Sequence, residues 1–208
     1  KKLFFSDKEI ILKSIKLKNK SLSTDLKFNI IKEQSNSKIS NKTNIRDISI
    51  NSKLIKKNDI FFAIRGKNVD GNKFISEALK KKSSFAVVNR INRNYPLSKQ
   101  IKVKNTLNFL SKCSSIFREN ISTKIISITG SCGKTTLKEM IGVTLNKISK
   151  TSYSPKSYNN KYGVPLSLFN IKRKDEFGVL EVGMDKKGEI DNLTKIIKPD
   201  LGIITNIS

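Results

Sequence analysis

The sequence contains no histidine and no tryptophan among its 208 residues. Histidine is the most common general base and a frequent metal ligand, so its absence leaves carboxylates, lysines, hydroxyls and backbone amides for any chemistry. The two cysteines, Cys113 and Cys132, are too few for a disulfide framework. They fit a reducing compartment, and we expect a cytoplasmic protein.

Long apolar runs are also missing. No run approaches the roughly 18 residues that a membrane-spanning helix needs, and the apolar patch in KKLFFSDKEI is too short for a signal peptide. We therefore expect no membrane span. Hydrophobic residues make up 37% of the chain, which can support a packed core in one large domain or two small ones.

Acidic residues are scarce, with 17 against 42 basic ones and a net charge of +25. Such a charge is typical of nucleic-acid binders. However, 36 of the basic residues are lysine, whereas base-edge and bidentate phosphate recognition favour arginine. Lysine, isoleucine and asparagine together exceed a third of the chain, as codons rich in A and T would produce. We favour that explanation and expect no nucleic-acid partner; a basic nucleic-acid-binding module is the alternative from another functional class.

Residues 1–120 are predicted to form a small N-terminal α/β domain, of which residues 1–45 are weakly patterned. A helix could begin at Ser6, and the polar stretch KEQSNSKISNKTN at 32–44 is typical of a loop. Further on, apolar strands in NDIFFAIRG, SSFAVVNR and KQIKVKN surround a helix in GNKFISEALKKK. A helix at 106–120 leads onward and contains Cys113, which we interpret as a structural thiol.

Residues 121–208 are predicted to form a second α/β domain with a parallel sheet. The strands TKIISIT, FGVLEVGM and PDLGIITNIS are almost continuously apolar and are separated by helices. In the first of these helices we expect an apolar stripe to face the core: Leu137, Met140, Ile141, Leu145 and Ile148. The sequence stops directly after its third strand, so we expect a truncated domain from a longer protein. The expected fold class is α/β throughout.

The segment ITGSCGKTTLKEM joins the first of these strands to its helix. Phosphate oxygens need several backbone N–H groups in a tight turn at a helix N-terminus, a lysine for the outer phosphates and a hydroxyl for Mg²⁺. Gly130, Gly133, Lys134 and Thr135 supply these groups, with Thr136 as a second hydroxyl. The glycines are three apart, whereas the usual loop has them five apart. A chance GKT in an ordinary turn is the alternative, which the flanking strand and helix disfavour. The loop therefore predicts that residues 121–208 form a P-loop ATPase domain.

Two further residues bear on this site. Glu181 ends the apolar strand FGVLEVGM, where a carboxylate could hold the metal of a phosphate site; an exposed acid at a strand end is the alternative. Cys132 lies within the loop, and we favour a small residue that fits there over a reactive thiol. Glu189 is predicted to open the following helix.

These segments resemble the Mur ligases, the ATP-dependent amide-forming enzymes of peptidoglycan synthesis, whose ATP loop has the short T-G-x-x-G-K-[TS] form. SYNNKYGVPLSLF is similar to that family's asparagine-bearing loop, and VLEVGMDKKGEI to its metal-binding strand. ISINSKLIKKNDIFFAIRGKNVDGNKF is similar to its motif for the UDP end of the substrate. The resemblance covers about residues 45–208. The K-E after the loop and the N-N-x-x-G-V-P pattern favour the branch that adds a dipeptide.

The resemblance implies a ligase that joins D-alanyl-D-alanine to a UDP-N-acetylmuramoyl tripeptide through an acyl phosphate, using ATP and Mg²⁺. This step belongs to cell-wall synthesis and hence to cell shape and division. A monomer is expected. The alternatives are the preceding amino-acid-adding Mur ligase, another P-loop amide ligase such as a folylpolyglutamate synthase, and a P-loop hydrolase or kinase. The UDP-type segment argues against the folate enzyme.

The resemblance also assigns site residues. Those around the ATP phosphates would be Gly130, Ser131, Cys132, Gly133, Lys134, Thr135 and Thr136. Thr135 and Glu181 would hold Mg²⁺, while Lys134, Asn159 (or its neighbour Asn160) and Glu181 would act in catalysis. Ser52, Lys53 and Asn72 would lie near the UDP group.

The sequence departs from the family pattern at three places. Asn51-Ser52-Lys53 stands where the family has D-S-R, and Asp70-Gly71-Asn72 where it has D-G-H. Asp185-Lys186-Lys187 follows the metal-binding strand, where many relatives carry a histidine, which puts a second metal in doubt. The family's modified lysine and C-terminal domain would lie beyond Ser208. We therefore expect these 208 residues alone to bind nucleotide weakly and not to turn over.

Overall fold

The computed structural model describes residues 26–35, 45–66, 68–156 and 158–207, and their strands form two four-stranded parallel sheets. The expected α/β fold is confirmed. The strands are β1 (Ile48–Ser49), β2 (Ile60–Phe62), β3 (Phe85–Val88), β4 (Gln100–Lys102), β5 (Lys124–Thr129), β6 (Thr151–Tyr153), β7 (Phe177–Glu181) and β8 (Leu201–Ile204). The helices are α1 (Leu26–Ser35), α2 (Ile75–Lys80), α3 (Thr106–Glu119), α4 (Lys134–Ile148), α5 (Gly163–Asn170) and α6 (Glu189–Ile197).

The first sheet runs in the order β1-β2-β3-β4, so each strand lies beside its neighbour in sequence. Strands β2 and β3 are buried along their whole length, which explains their continuous apolar runs. One face packs against α2. On the other face, Phe28 of α1 stacks on Phe85 at 6.0 Å between ring centroids, and Phe62 stacks on Phe109 of α3 at 6.2 Å.

Helix α3 connects the two sheets. Phe117 lies 5.2 Å from the ring of Phe169 in α5. Arg118 donates hydrogen bonds to the carbonyl oxygen of Ile197 and to Asp200 Oδ2, both at 2.8 Å. Cys113 is fully buried in this helix, and burial raises the pKa of its thiol to about 12. A single core of buried side chains therefore runs from the first sheet through α3 to the second.

The second sheet has the order β6-β7-β5-β8. Because all its strands are parallel, their carboxyl ends meet at one edge: Ile128 of β5 lies opposite Glu181 of β7, and Thr129 lies opposite Ile204 of β8. Ligands of open parallel sheets bind at that edge.

Helix α4 does not bury the stripe expected from its sequence. Met140 and Ile148 are 62% and 79% exposed, whereas Lys138 and Gly142 are buried. The remaining members of the stripe are half-buried: Leu137, Ile141 and Leu145. The helix packs on the second sheet through Gly142, where an added Cβ would come within 2.7 Å of the Tyr153 ring. This close approach sets which side of α4 faces inward, and β6, which carries Tyr153, had not been predicted.

The N-terminal part differs from expectation in one further respect. Helix α1 ends at Ser35 and buries Phe28, Ile30 and Ile31, so the predicted loop at 32–44 is helical over residues 32–35. Residues 36–44 and the helix predicted from Ser6 lie outside the described residues. Within the described part of the chain, no helix combines the length and the apolar character that crossing a membrane requires.

Candidate active site

The turn between β5 and α4 has a backbone shape that two glycines make possible. Gly130 has φ +136° and Gly133 has φ +79°, both in a region that side chains other than glycine rarely adopt. A Cβ on Gly130 would also lie 2.1 Å from Thr205 Oγ1. Gly133 directly precedes α4 and has no side chain with which to cap it. The first N–H groups of α4 therefore point toward the turn, where an anion can accept hydrogen bonds from them.

The lysine of the turn lies within it. Lys134 Nζ donates to the carbonyl oxygens of Gly130 at 2.6 Å and Ser131 at 3.3 Å. Its ammonium group thus occupies the concave side of the loop, close to the helix N-terminus. Both the lysine and the helix end contribute positive potential at this point.

Glu181 joins three elements at the same edge. It ends β7, is 1% exposed, and accepts a hydrogen bond at Oε2 from the hydroxyl of Thr135 at 2.8 Å. Its other oxygen, Oε1, accepts one from Asn159 Nδ2, also at 2.8 Å. Its backbone N–H donates to Ser154 Oγ at 3.3 Å. The structure thus brings together Thr135, Asn159 and Glu181, three residues singled out from the sequence.

The neighbouring asparagines have different surroundings. The carbonyl oxygen of Asn159 accepts a hydrogen bond from the N–H of Gly183 at 2.6 Å, which fixes its backbone beside β7. Asn160 instead accepts the N–H groups of Tyr162 and Gly163 at 3.0 and 3.1 Å and so caps the start of α5. Of the two, Asn159 lies at the carboxylate.

The donor set at this edge fits a magnesium ion bound together with phosphates. Thr135 and Glu181 offer a hydroxyl and a carboxylate in contact with each other. Mg²⁺ commonly takes one or two protein ligands and completes its shell with water and phosphate oxygens. In the described part of the chain, no cluster of three or more histidine, cysteine, aspartate or glutamate side chains could hold a metal alone. Asp185 contributes its N–H to Glu189 Oε2 at 2.9 Å and is exposed.

The residues expected near a UDP group lie in the first sheet's loops. Ser52 is buried and donates to Glu77 Oε2 at 2.6 Å, a hydrogen bond that is the main cause of the lowered pKa of that carboxyl. Lys53 is exposed. Among the described residues, no hydrogen bond or ion pair joins Ser52, Lys53 or Asn72 to Lys134 or Glu181.

Asn72 belongs to a small polar network. Its Nδ2 donates to Asp70 Oδ1 at 2.6 Å and to Asn89 Oδ1 at 2.7 Å. The bond from Asn72 Nδ2 to Asp70, together with a second from the backbone N–H of Asn72 at 3.0 Å, stabilises the carboxylate and holds the pKa of Asp70 below its usual value. Gly71 between them admits no side chain, since a Cβ would lie 2.6 Å from the backbone of Ile64. The network fixes the shape of this loop.

Sequence reasoning assigned no role in the site to two of its contributors. Lys138 lies one helical turn after Lys134, is fully buried, and donates from Nζ to the carbonyl oxygen of Lys156 at 2.7 Å. That bond ties α4 to the segment carrying Asn159. Residues 205–206 contact the loop from the end of β8. The signal for Lys138 was a lysine at the spacing of the core-facing positions of α4. The signal for residues 205–206 was a threonine-asparagine pair after an apolar strand.

Two sequence profiles match the chain. One, described as the Mur ligase family catalytic domain, matches residues 44–118; the other, described as the Mur ligase middle domain, matches residues 128–208. Among individual proteins, the UDP-N-acetylmuramoyl-tripeptide–D-alanyl-D-alanine ligase of Rickettsia prowazekii is 36% identical over 170 residues, covering 82% of this chain and 38% of the relative. The enzyme of the same name from Buchnera aphidicola subsp. Acyrthosiphon pisum is 38% identical over 164 residues, covering 78% and 35%.

Solved structures agree with these matches. MurF from Acinetobacter baumannii superposes with a TM-score of 0.78 at 29% identity, covering 86% of this chain and 40% of that one. MurF ligase from Thermotoga maritima in complex with ADP has a TM-score of 0.68 at 33% identity, covering 77% and 37%. The chain thus spans less than half the length of the relatives it matches.

Proposed function

This chain belongs to the Mur ligase family, and on that premise we propose that it acts in an ATP-dependent ligation joining D-alanyl-D-alanine to the terminal carboxylate of a UDP-N-acetylmuramoyl tripeptide, the activity in its relatives' names. The observation that carries the proposal is the contact among Thr135, Asn159 and Glu181 beside Lys134. It gathers a hydroxyl, an amide, a carboxylate and an ammonium group at the carboxyl edge of a parallel sheet, where ligands bind.

The proposed reaction forms one amide bond at the expense of one phosphoanhydride bond. A carboxylate oxygen of the tripeptide attacks the γ-phosphorus of ATP, and ADP leaves. The amine of the dipeptide then attacks the acyl carbon, loses a proton and expels phosphate. Phosphoryl transfer needs little covalent help from a protein, so the task of these residues is positioning and charge neutralisation.

Each loop residue then has a role. Lys134 exchanges the carbonyl oxygens of Gly130 and Ser131 for the outer phosphate oxygens and offsets their charge. The N–H groups of residues 133–136, at the start of α4, donate hydrogen bonds to the remaining oxygens. Asn159, held by Glu181, presents its amide where the substrate carboxylate and the γ-phosphate meet. Mg²⁺, held by Thr135 and Glu181, would neutralise charge on the phosphates.

The substrate side is assigned to the first sheet. We propose that residues 1–120 bind the UDP portion and residues 121–208 bind ATP. Lys53 is the exposed cation among the three residues predicted for UDP, while Ser52 and Asn72 are bonded to Glu77 and Asp70 and hold their loops in shape. Both cysteines are free thiols, which fits a reaction in the reducing cytoplasm. We expect a monomer.

Phosphate release by the intact protein tests the proposal. With ATP and Mg²⁺ present, we expect release only when UDP-muramoyl tripeptide and D-alanyl-D-alanine are added together, and at least a hundredfold less from Lys134→Ala. A single amino acid serving in place of the dipeptide would indicate the preceding ligase instead. Release without any carboxylate acceptor would indicate a hydrolase.

A further inference from the structure

The two residues after β8 contact nearly the whole length of the nucleotide loop. The N–H of Thr205 donates to the carbonyl oxygen of Thr129 at 2.9 Å, and the N–H of Ser131 donates to the carbonyl oxygen of Asn206 at 3.1 Å. Gly130 lies between these points with no room for a side chain, since an added Cβ would meet Thr205 Oγ1 at 2.1 Å and Asn206 at 3.0 Å. The end of β8 therefore forms one wall of the turn.

Cys132 is the residue most completely held by this wall. Its N–H donates to Asn206 Oδ1 at 3.0 Å, and its carbonyl oxygen accepts from Thr205 Oγ1 at 2.6 Å. Its Sγ accepts from Asn206 Nδ2 at 3.1 Å. All three polar groups of Cys132 are thus bonded to residues 74 or 73 positions later in the chain.

These bonds matter because the loop is rich in glycine and lies outside the strand and the helix that flank it. Residues 130–133 belong to neither β5 nor α4, and two of the four are glycines. Glycine is the residue with most backbone freedom to lose, so a loop of this kind is ordered only at an entropic cost. A loop held in shape before the ligand arrives spares the ligand that cost and binds it more tightly.

We propose that Thr205 and Asn206 form a positioning clamp that acts through Cys132 to set the shape of the nucleotide loop. The ligand concerned, a nucleoside triphosphate, rests on the proposed function. The clamp gives Cys132 a role that needs no thiol chemistry: its side chain is a hydrogen-bond acceptor for Asn206. The affinity for ATP then depends on the two residues that follow β8 as well as on the loop itself.

Equilibrium binding of ATP with Mg²⁺ to the intact protein is the first test. Asn206→Ala removes the two side-chain bonds to Cys132, and we expect a Kd roughly tenfold higher. The matched control is Asn192→Ala, an exposed asparagine of α6, which we expect to bind as the unmodified protein does. A Kd for Asn206→Ala within twofold of the control would overturn the clamp.

A conservative pair separates positioning from general loss of structure. Thr205→Val keeps the shape of the side chain but removes the hydroxyl that donates to Cys132, whereas Thr205→Ser keeps it. We expect Thr205→Val to raise the Kd and the KM for ATP several-fold with little change in kcat. Thr205→Ser should have the same Kd and KM as the unmodified protein. Equal affinities for the two variants would contradict the proposal, whatever their stability.

Thiol labelling without nucleotide makes the test independent of the reaction. Cys132 is exposed and Cys113 is buried, so a small alkylating reagent should modify Cys132 selectively. We expect Asn206→Ala to speed that labelling several-fold because the loop is released. An unchanged rate would count against the clamp. If no ligation is detected while labelling and ATP binding respond as expected, the proposed function is contradicted and the clamp is supported.

Discussion

The two longest helices of the described residues bury different kinds of side chain. Helix α3 buries apolar side chains along one side: Phe109, Leu110, Cys113 and Phe117. Helix α4 buries Lys138 and Gly142 and leaves apolar side chains outside: Met140, Val143 and Ile148. The sequences of both helices have apolar residues at helical spacing, yet only α3 buries those residues in the core.

The two helices differ because different contacts hold them in place. Helix α3 has partners on several sides and is placed by the side chains it buries. Helix α4 is placed by its first turns and by close backbone approach. Its first residue follows the glycine turn, Lys138 bonds to the segment before Asn159, and Gly142 lies against Tyr153. A helix that serves a site is thus oriented by the site, and its apolar stripe is a poor guide to its buried face.

The largest effect should come from breaking α3. Phe117→Ala removes a ring that is 2% exposed and packed on Phe169, and we expect it to lower the free energy of unfolding by about 3–5 kcal/mol. Urea unfolding measures this loss. Phe74→Ala is the matched control, since Phe74 is 37% exposed and should lose far less. Equal losses for the two variants would show that α3 is not placed by its core.

Removing the buried lysine of α4 should have the next largest effect. Lys138→Met keeps the apolar stem but leaves the carbonyl of Lys156 without its partner and removes an ion pair with Glu139 at 3.0 Å. We expect a cost of about 1–3 kcal/mol in the free energy of unfolding. Because that carbonyl precedes Asn159, we expect turnover in the proposed ligation to fall roughly 10- to 100-fold. Lys147→Met, an exposed lysine of the same helix, serves as control. Indistinguishable behaviour of the two variants would refute this role.

A smaller, pH-dependent effect is expected where α3 meets the second sheet. Asp200 accepts hydrogen bonds from the N–H of Ile125, from Arg118 and from Lys124, and the first of these contributes most to its lowered pKa. A carboxyl whose folded pKa is depressed stabilises the fold above its unfolded pKa of about 3.9, and this contribution disappears as the pH falls through the folded pKa.

Asp200→Asn should therefore cost about 1 kcal/mol at pH 7, a modest figure because the side chain is partly exposed. The difference from the unmodified protein should shrink in urea titrations below about pH 4. Asp191→Asn, whose partner is the exposed Lys195, should show almost no difference at either pH. A gap for Asp200→Asn that persists into acid would contradict the assignment.

The smallest effect is expected on the outward stripe of α4. Met140→Ser and Ile148→Ser change side chains that are 62% and 79% exposed, so the free energy of unfolding should move by less than about 0.5 kcal/mol. Urea unfolding at pH 7 again provides the measurement. A loss of several times that size would show that another part of the protein covers this face.

The sequence predicted those parts of the fold that depend on local pattern. The strands around Phe61, Ile128 and Leu180 are almost continuous apolar runs, and glycines, lysine and hydroxyl residues stand at fixed spacing in the loop. Glu181 was placed at the edge of the sheet because it ends such a run. The parallel register then places Glu181 opposite Ile128, close to the loop that follows β5.

What escaped prediction depends on contacts between distant segments. Strand β6 has the sequence TSY, with no apolar run, and exists because it pairs with β7. The inward side of α4 is decided by Tyr153, and the shape of the loop by Asn206, each remote in sequence from what it shapes. The hydrophobic periodicity of a segment contains no information about a contact residue that is remote in the sequence.

The shared core around α3 has a consequence for how the molecule opens. Side chains of the first sheet, of α3 and of α5 and α6 form one continuous cluster, so separating the sheets would expose both to water. Amide protons in β2 and in β5 should then exchange with solvent at similar free energies, through one cooperative opening. A ligand that protects one sheet from exchange would protect the other as well.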